Sequence, residues 1–370
     1  MKELRIKDIC DKGSSNLKQK DVEGKKGKYP VYGASGIISY IDSYHQEENY
    51  ISIVKDGSGI GRVTFMPPQS SVIGTMQYIL PKEGFNINYI GYCLQSLDLS
   101  KYKQGAAIPH IYFRDYGERL VKVTEDLNEQ QSIVDYLDSA FAKIDAMKAN
   151  AEKALNEAKA LFQASLKEML EPKEGWEEKT LKDIALVRIG PFGSLLHKND
   201  YISGGIPLVN PVHMIEGKIV VNNDYTISDE KAKELSNYLL KAFDIVFARR
   251  GEVGRCAMVS ENEAGFLCGT GSLFVRFKII VDCIFMLFLF QSENCRKYLE
   301  HNASGATMLN INAGIVENMP LSIPPLSEQQ SIVATLDSLK SKVDRLQENY
   351  DKISQECDAL KQAILRDIFE

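Results

Sequence analysis

The sequence predicts an α+β fold in which two similar mixed α/β globular domains are separated and joined by two long helices. Three observations predict it. The chain contains an internal repeat, the second part of each repeat has the apolar period of a coiled coil, and the first part alternates apolar and polar residues between glycine-rich turns. The predicted globular domains are residues 1–126 and 173–325, and the predicted helices are 127–172 and 326–370.

The repeat is clearest where the two helices begin. The stretch NEQQSIVDYLDSAFAKIDAM, from Asn128, matches SEQQSIVATLDSLKSKVDRL, from Ser327, and the alignment continues without a gap to EML (168–170) and DIF (367–369). In the globular parts, short matches are separated by small insertions. Helices of fixed length beside globular parts of variable length are expected when two modules perform the same task on different targets.

The first globular domain is predicted to be a curved sheet followed by a helix. Alternating segments lie at 29–41, 49–66 and 71–80, and glycines separate them. An amphipathic helix is expected near 86–102.

The second globular domain shows the same order. Its alternating segments are 205–221, 244–259 and 267–277, and the counterpart helix is expected near 281–299. The most apolar run of the chain, 279–290, is too short to cross a bilayer and predicts a buried helix.

Both long helices carry an apolar stripe whose spacing alternates between four and three residues, the period of a coiled-coil seam. Because the first helix leads into the second globular domain, we expect an antiparallel coiled coil with a pseudo-twofold relation between the repeats. Met147 and Leu161 are placed on this stripe. The helix-pairing residues are Leu137, Ile144, Ala151 and Ala158 in the first helix, and Leu336, Val343, Leu346, Tyr350, Ile353 and Leu360 in the second.

Two interpretations of the helix pair stay open. It could serve stability alone, as amphipathic helices in one chain often do. It could also fix a separation between two domains that engage one extended ligand.

Composition excludes several classes of protein. The seven cysteines are scattered without a CxxC pair, and the five histidines are not at metal-ligand spacing, so no metal site is expected. The charged start, MKELRIKDIC, is unlike a secretory signal, and we expect a cytoplasmic protein without a membrane segment. Motifs for ATP binding, S-adenosylmethionine-dependent methylation or hydrolysis are not found in the sequence, so no catalysis and no cofactor are expected in this chain.

The net charge of −6 is unusual for a protein that binds nucleic acid alone. Acidic residues are over-represented in the helical segments relative to their length, whereas residues 1–126 are slightly basic. Local basic patches can still bind phosphate.

Glycine-rich stretches at 56–62 and 249–255 end in Arg62 and Arg255, and hairpin turns that require glycine explain them at least as well as a nucleotide loop does. Basic, amide and hydroxyl side chains on these and neighbouring loops are candidate DNA contacts, although each could equally be ordinary surface. The candidates are Lys25, Lys26, Lys28, Arg62, Lys101, Lys103, Gln104, His110, His197, Lys198, Arg249, Arg250, Arg255, Asn302, Ser304, Thr307 and Asn310.

These features resemble the specificity subunits of Type I restriction-modification enzymes. The resemblance covers nearly the whole chain and is strongest in LNEQQSIVDYLD (127–138), PPLSEQQSIVATLD (324–337), DIVFARRGEVGR (244–255) and SGATMLNIN (304–312). The first copy departs from the Arg-Arg-Gly pattern, since it has KDGSGIGR at 55–62.

The resemblance implies two target-recognition domains that read a bipartite, asymmetric site on double-stranded DNA, one half-site each. It implies a spacer set by the paired helices. It also implies recruitment of methyltransferase subunits, two in number, and of restriction subunits that translocate DNA. S-adenosylmethionine, ATP and Mg²⁺ would then be bound by those partners and not by this chain.

Other functions remain possible on the sequence alone. A stand-alone two-domain sequence-specific DNA-binding protein should be more basic than this chain. A nuclease with an unfamiliar site should cleave DNA by itself with a metal ion. A coiled-coil scaffold should tolerate any change in the globular loops.

Overall fold

The computed structural model describes most of the chain, namely residues 1–105, 109–221, 226–305 and 309–370. Its contacts divide the chain into two units. Unit 1 is Met1–Lys153 with Glu348–Glu370, and unit 2 is Ala154–Gln347. The division falls inside both long helices, so the domain boundaries expected at 126, 172 and 325 stay predictions.

Unit 1 contains strands and short helices followed by the first part of a long helix. In chain order they are β1 (Lys2–Arg5), α1 (Ile6–Ile9), β2 (Cys10–Ser14), α2 (Gln19–Val22), β3 (Tyr29–Gly33), β4 (Gly36–Ile41), β5 (Tyr50–Val54), β6 (Val63–Met66), β7 (Ser71–Val72), β8 (Met76–Pro81), α3 (Ile87–Ser96), α4 (Phe113–Tyr116), β9 (Leu120–Val123) and α5 (Leu127–Met169).

The strands of unit 1 form three sheets. An antiparallel sheet has the order β2-β8-β5-β6, a second has the order β4-β3-β7, and β1 pairs with β9. Every residue of β5 is buried, as expected for a central strand.

Unit 2 begins inside α5, at Ala154, and ends inside the second long helix, at Gln347. Its elements are β10 (Glu177–Thr180), α6 (Leu181–Ile184), β11 (Ala185–Ile189), β12 (Tyr201–Ile202), β13 (Ile206–Val209), β14 (Met214–Ile215), β15 (Lys218–Ile219), β16 (Thr226–Ile227), α7 (Asp229–Glu234), β17 (Ile245–Ala248), β18 (Cys256–Met258), β19 (Leu267–Cys268), β20 (Ser272–Phe277), α8 (Cys283–Gln291), α9 (Glu293–Asn302), α10 (Ala313–Glu317), β21 (Pro320–Ile323) and α11 (Leu326–Phe369).

The sheets of unit 2 repeat those of unit 1. The order β11-β20-β17-β18 corresponds to β2-β8-β5-β6, β16-β13-β19 corresponds to β4-β3-β7, and β10 pairs with β21 as β1 does with β9. The β14–β15 hairpin is an insertion, since β3 and β4 are joined only by the short turn at Ala34 and Ser35. The α+β class with two similar mixed domains and two long helices is confirmed.

One predicted helix is two helices in the structure. The segment expected near 281–299 is interrupted at Ser292, which has an extended backbone and accepts a hydrogen bond from the backbone N–H of Cys295. This capping geometry ends α8 and begins α9. In unit 1, the helix expected near 86–102 ends at Ser96, and a separate 3-10 turn follows at Leu99–Tyr102.

The buried apolar helix is shorter than its apolar run. Asp282 caps α8 by accepting hydrogen bonds from the backbone N–H groups of Ile284 and Phe285, both at 3.0 Å. Phe285 is fully buried, whereas Ile280 precedes the cap and is 85% exposed. The expectation of a buried helix holds from Cys283 onward and is wrong for the residues before it.

Within unit 1, α5 and the last part of α11 run antiparallel. Lys361 Nζ lies 2.6 Å from Asp145 Oδ1, and Lys148 Nζ lies 3.5 Å from Asp358 Oδ1. Residue numbers therefore rise along α5 where they fall along α11. Cys357 is buried against the backbone of Ile144, its Sγ 3.8 Å from the carbonyl oxygen. Within unit 2, Lys159 donates to Gln347 at 2.8 Å.

The apolar seam differs from the predicted stripe at three positions. Leu360 is 49% exposed, and Lys361 lies inward instead, with its ammonium 5.3 Å from the centroid of the Phe141 ring. Met147 and Leu161, 61% and 58% exposed, also lie off the seam. Strict alternation of four and three cannot show which of two adjacent positions turns inward, because an α-helix has 3.6 residues per turn. Of the other predicted pairing residues, Leu137, Ile144, Leu336 and Val343 are buried, and Ala151, Ala158, Leu346, Tyr350 and Ile353 are half-buried.

The core of each unit includes parts of both long helices. In unit 1, Leu137 from α5 and Phe369 from α11 pack with the globular core, where the Phe369 ring lies 5.2 Å from that of Tyr89. In unit 2, Leu166 from α5 and Leu336 from α11 belong to the core. The helices are therefore part of each hydrophobic core.

A buried glutamine joins α5 to the core of unit 1. Gln130 is fully buried, its Nε2 donates to the carbonyl oxygens of Gly84 (3.0 Å) and Thr124 (2.9 Å), and its Oε1 accepts from the backbone N–H of Asn86 (2.6 Å). Asn86 is also the N-cap of α3. The glutamine thus links the start of the long helix to the start of the core helix.

Unit 2 repeats this arrangement at Gln329. Its Nε2 donates to the carbonyl oxygen of Pro324 (2.9 Å), and its Oε1 accepts from the backbone N–H of Asp282 (2.8 Å), the N-cap of α8. These contacts give a physical reason for the repeated EQQ motif, in which the second residue after Glu stays exposed as Gln131 or Gln330.

Replacing Gln329 by alanine should lower the free energy of unfolding by about 2–4 kcal/mol, because a backbone donor and a carbonyl would be buried without partners. The adjacent exposed Gln330, replaced by alanine, is the matched control and should change stability by less than about 0.5 kcal/mol. Chemical denaturation of both variants measures the difference, and equal effects would show that the buried carboxamide does not anchor the helix.

Candidate nucleic-acid interface

Two loops lie against each other in unit 1. The loop from β5 to β6, residues 55–62, is called the glycine loop, and the second is the loop 101–111. Together they are called the paired loops. Two backbone hydrogen bonds join them, from Ile111 N to Lys55 O (2.9 Å) and from Gly57 N to Pro109 O (3.1 Å).

The glycine loop depends on backbone conformations that favour glycine. Gly57, Gly59 and Gly61 have φ values of 84°, 82° and 85°. The loop 101–111 is closed by two backbone hydrogen bonds between Gln104 and His110, each 2.8 Å long. Both loops are thus held by backbone contacts, which leaves the side chains free to differ.

Unit 2 has the same paired loops, at 249–255 and 301–311. Gly251 N donates to Leu309 O (3.1 Å) and Ile311 N donates to Arg249 O (2.9 Å), as in unit 1. Two backbone hydrogen bonds of 3.0 and 2.8 Å between Ser304 and Asn310 close the second loop, as those between Gln104 and His110 do in unit 1. The two units therefore share one backbone scaffold.

The side chains on this scaffold are partly engaged in unit 1. His110 Nδ1 lies 2.6 Å from Asp56 Oδ1, and Gln104 Nε2 donates to Asp115 at 2.8 Å. Lys101 lies 3.9 Å from Asp98, and Lys103 is exposed. One loop thus carries four of the predicted candidates, Lys101, Lys103, Gln104 and His110.

Unit 2 presents two adjacent guanidinium groups at the equivalent place. Arg249 Nε lies 3.4 Å from Asn310 Oδ1, and Arg250 is exposed. Within the described ranges neither arginine has an ion pair with a carboxylate. Burial, and next the positive charge of Arg250, lower the pKa of Arg249 from its usual value. Two close positive charges without a counterion favour the approach of an anion or of a base acceptor.

Arg62 and Arg255 have structural contacts. Arg62 Nη1 donates to the carbonyl oxygen of Ala34 (2.9 Å), at the turn between β3 and β4. Arg255 Nη1 donates to that of Pro211 (3.3 Å), just after β13, and also pairs with Glu252. These arginines join the glycine loop to the neighbouring sheet, a role that their sequence position alone does not show.

The remaining candidates lie on other segments or make local contacts. Lys25, Lys26 and Lys28 are exposed beside β3, and Lys28 Nζ lies 5.4 Å from the centroid of the Tyr29 ring. His197 and Lys198 are exposed at a 3-10 turn before β12.

In the loop 301–311, Asn302 Nδ2 donates to the carbonyl oxygen of Tyr298 (2.8 Å) and Ser304 Oγ to that of Asn310 (3.3 Å). Thr307 lies outside the described residues.

Lys55 is a candidate that the sequence reasoning missed. Its carbonyl accepts from Ile111 as that of Arg249 accepts from Ile311, so the two residues are equivalent. The sequence holds a signal for this equivalence, since aligning the first two residues of KDGSGIGR with the two arginines of RRGEVGR pairs Lys55 with Arg249.

Over the described part of the chain, no group of three or more histidine, cysteine, aspartate or glutamate residues is arranged to hold a metal ion. Among the helices in the same part, none combines the length and apolar character needed to cross a membrane.

Comparison with known families gives two matches along this chain. The family described as Type I restriction modification DNA specificity domain matches residues 1–157 and again residues 173–355. Each match lies within one copy of the internal repeat.

Individual relatives are distant. The chain is 22% identical over 286 residues to the Type I restriction enzyme EcoBI specificity subunit of Escherichia coli, covering 71% of this chain and 60% of the relative. It is 22% identical over 352 residues to the Type I restriction enzyme MjaVIII specificity subunit of Methanocaldococcus jannaschii, covering 87% and 81%. The alignment thus spans less than two thirds of the E. coli relative.

Solved structures show a similar fold. A chain from a structure concerned with complex assembly and conformational transition of the type I R-M system has a TM-score of 0.75 at 16% identity, covering 98% of this chain and 96% of that one. The HsdS subunit from Thermoanaerobacter tengcongensis has a TM-score of 0.55 at 16% identity, covering 98% and 95%.

Two alanine substitutions test the geometry of the glycine loop. Gly57 and Gly61 have nearly the same φ, but a Cβ on Gly57 meets no atom within 4 Å, whereas one on Gly61 lies 3.0 Å from the backbone nitrogen of Ser100. Gly57→Ala should cost about 1 kcal/mol from backbone strain alone, and Gly61→Ala about 2–4 kcal/mol because the backbone must also move. Equal losses in chemical denaturation would contradict the packing of this loop.

Proposed function

Because the chain belongs to the Type I restriction modification DNA specificity family, we propose that it reads a bipartite, asymmetric site on double-stranded DNA, one half-site per recognition domain. The observation that carries the proposal is the scaffold of paired loops, which occurs once in each unit with different side chains. One scaffold with two sets of polar groups suits two different half-sites.

The candidate contacts fall into three groups by the role proposed for them. The paired loops contribute Lys101, Lys103, Gln104 and His110 from unit 1, and Arg249, Arg250 and Asn310 from unit 2. The exposed residues Lys25, Lys26, Lys28, His197 and Lys198 would add phosphate contacts that position the protein without reading bases. Arg62 and Arg255 would act through the loop conformation that they hold.

We further propose that the chain recruits methyltransferase subunits and restriction subunits. Those partners would methylate and cleave the DNA. The net charge of −6 supports a need for partners, because a chain of this charge gains little general attraction to phosphate. The exposed faces of the long helices offer part of the docking surface for the methyltransferase. The same charge disfavours a DNA-binding protein that acts alone.

Replacing residues 1–126 by the corresponding domain of another family member should change one half of the recognised sequence and preserve the other. Methylome sequencing of cells that carry the chimeric chain with its methyltransferase subunits reads both halves directly. The unaltered chain in the same host is the control. A change in both halves, or in neither, would contradict one half-site per domain.

Inserting seven residues into each long helix, at aligned positions, should lengthen the tolerated spacer between half-sites or abolish recognition. Seven residues keep the apolar seam in register while adding about 10 Å of helix. The same methylome measurement gives the spacer, and insertion in one helix alone is the mismatched control. An unchanged spacer with full methylation would show that the helix pair serves stability only.

A further inference from the structure

The paired loops place two residues opposite each other at an equivalent point in each unit. Asp56 and His110 are backbone bridge partners in unit 1, and Arg250 and Asn310 are bridge partners in unit 2. Residues directly opposite each other in an antiparallel bridge project to the same face. In unit 1 the two side chains meet, with His110 Nδ1 2.6 Å from Asp56 Oδ1. In unit 2 the carboxamide of Asn310 contacts the neighbouring Arg249, whose Nε lies 3.4 Å from Asn310 Oδ1.

The preceding position of the scaffold behaves differently. Lys55 and Arg249 are equivalent, and both are positively charged. A site that contacts phosphate in both units should be cationic in both, because every phosphate carries the same charge. The position of Lys55 and Arg249 meets that condition.

The next position does not meet it, since a carboxylate, Asp56, stands where the other unit has a guanidinium, Arg250. A carboxylate is repelled by phosphate but can accept a hydrogen bond from the amino group of a base. An arginine there matches the two acceptors on the major-groove edge of guanine. The exchange of charge on an unchanged backbone is therefore expected of a position that reads bases.

Resting on the proposed function, we propose that Asp56 and Arg250 are the equivalent specificity-determining residues of the two units. Arg250 contacts a guanine in the half-site of unit 2, and Asp56, oriented by His110, contacts a base with an exocyclic amino group in the half-site of unit 1. Lys55 and Arg249 bind the neighbouring phosphates.

The test measures methylation by the complete complex of this chain with its methyltransferase subunits, on DNA duplexes that carry the target and each single-base change. Arg250→Gln should reduce discrimination for guanine at one position of one half-site by about 10- to 100-fold, the range expected for loss of one bidentate contact. Discrimination in the other half-site should be unchanged. Asp56→Asn should alter one position of that other half-site only.

Two controls separate base reading from general charge. Lys297→Gln removes one positive charge from α9, where Lys297 pairs with Glu293 away from the paired loops, and should alter no base preference. Arg249→Gln should weaken methylation of all sequences alike and reduce the salt dependence of DNA binding.

Thermal unfolding of each variant shows whether the fold is retained. Arg250→Lys keeps the positive charge without the planar guanidinium and provides a second substitution at the same position.

The inference is wrong if Arg250→Gln weakens all sequences equally, which would mark a phosphate contact, or if it changes neither affinity nor preference. It is also wrong if Arg250→Lys and Arg250→Gln both keep the guanine preference. Failure of the proposed function would look different. The unaltered complex would then methylate no bipartite site at all, whatever residue stands at position 250.

Discussion

The hydrogen bonds of two buried glutamines, Gln130 and Gln329, fix where each long helix begins relative to a globular core. A carboxamide can be buried without a large free-energy cost only when its donors and acceptor are paired. Each glutamine pairs with the backbone at the N-cap of a core helix, Asn86 in one unit and Asp282 in the other. The phase of the apolar seam, and the residues that α5 and α11 insert into the cores, follow from these two starting points.

Much of this fold can be predicted from the sequence, because it rests on repeated patterns. The EQQ motif marks both helix starts, and apolar period separates helix from strand. Burial is harder to predict. The alternation of four and three residues does not distinguish Leu360 from Lys361, since both lie near the seam and only the position of Asp145 and Phe141 favours the lysine. Ser292 interrupts an apparently continuous helix through its backbone conformation, which a serine adopts or avoids according to its surroundings.

At the candidate site, too, the sequence predicts which side chains are present but not the groups that they contact. Four arginines of the glycine loops have one side-chain chemistry but two kinds of environment. Arg62 and Arg255 donate to carbonyl oxygens of a neighbouring sheet, whereas Arg249 and Arg250 lie together without a carboxylate among the described residues. A sequence shows that a guanidinium is present and cannot show which acceptor it reaches. The equivalence of Lys55 with Arg249 likewise becomes firm only when the backbone hydrogen bonds are compared.

Phe369 and Leu365 complete the core of unit 1, in contact with a region whose strands are near the other end of the sequence. The ribosome synthesises those strands first. Their apolar surface stays incompletely covered until all of unit 2 and the end of α11 have been translated. A nascent chain interrupted before α11 would expose Val134 and Leu137 to water and to chaperones or proteases. Because the end of α11 belongs to the core of unit 1, the folding of unit 1 depends on the synthesis of unit 2.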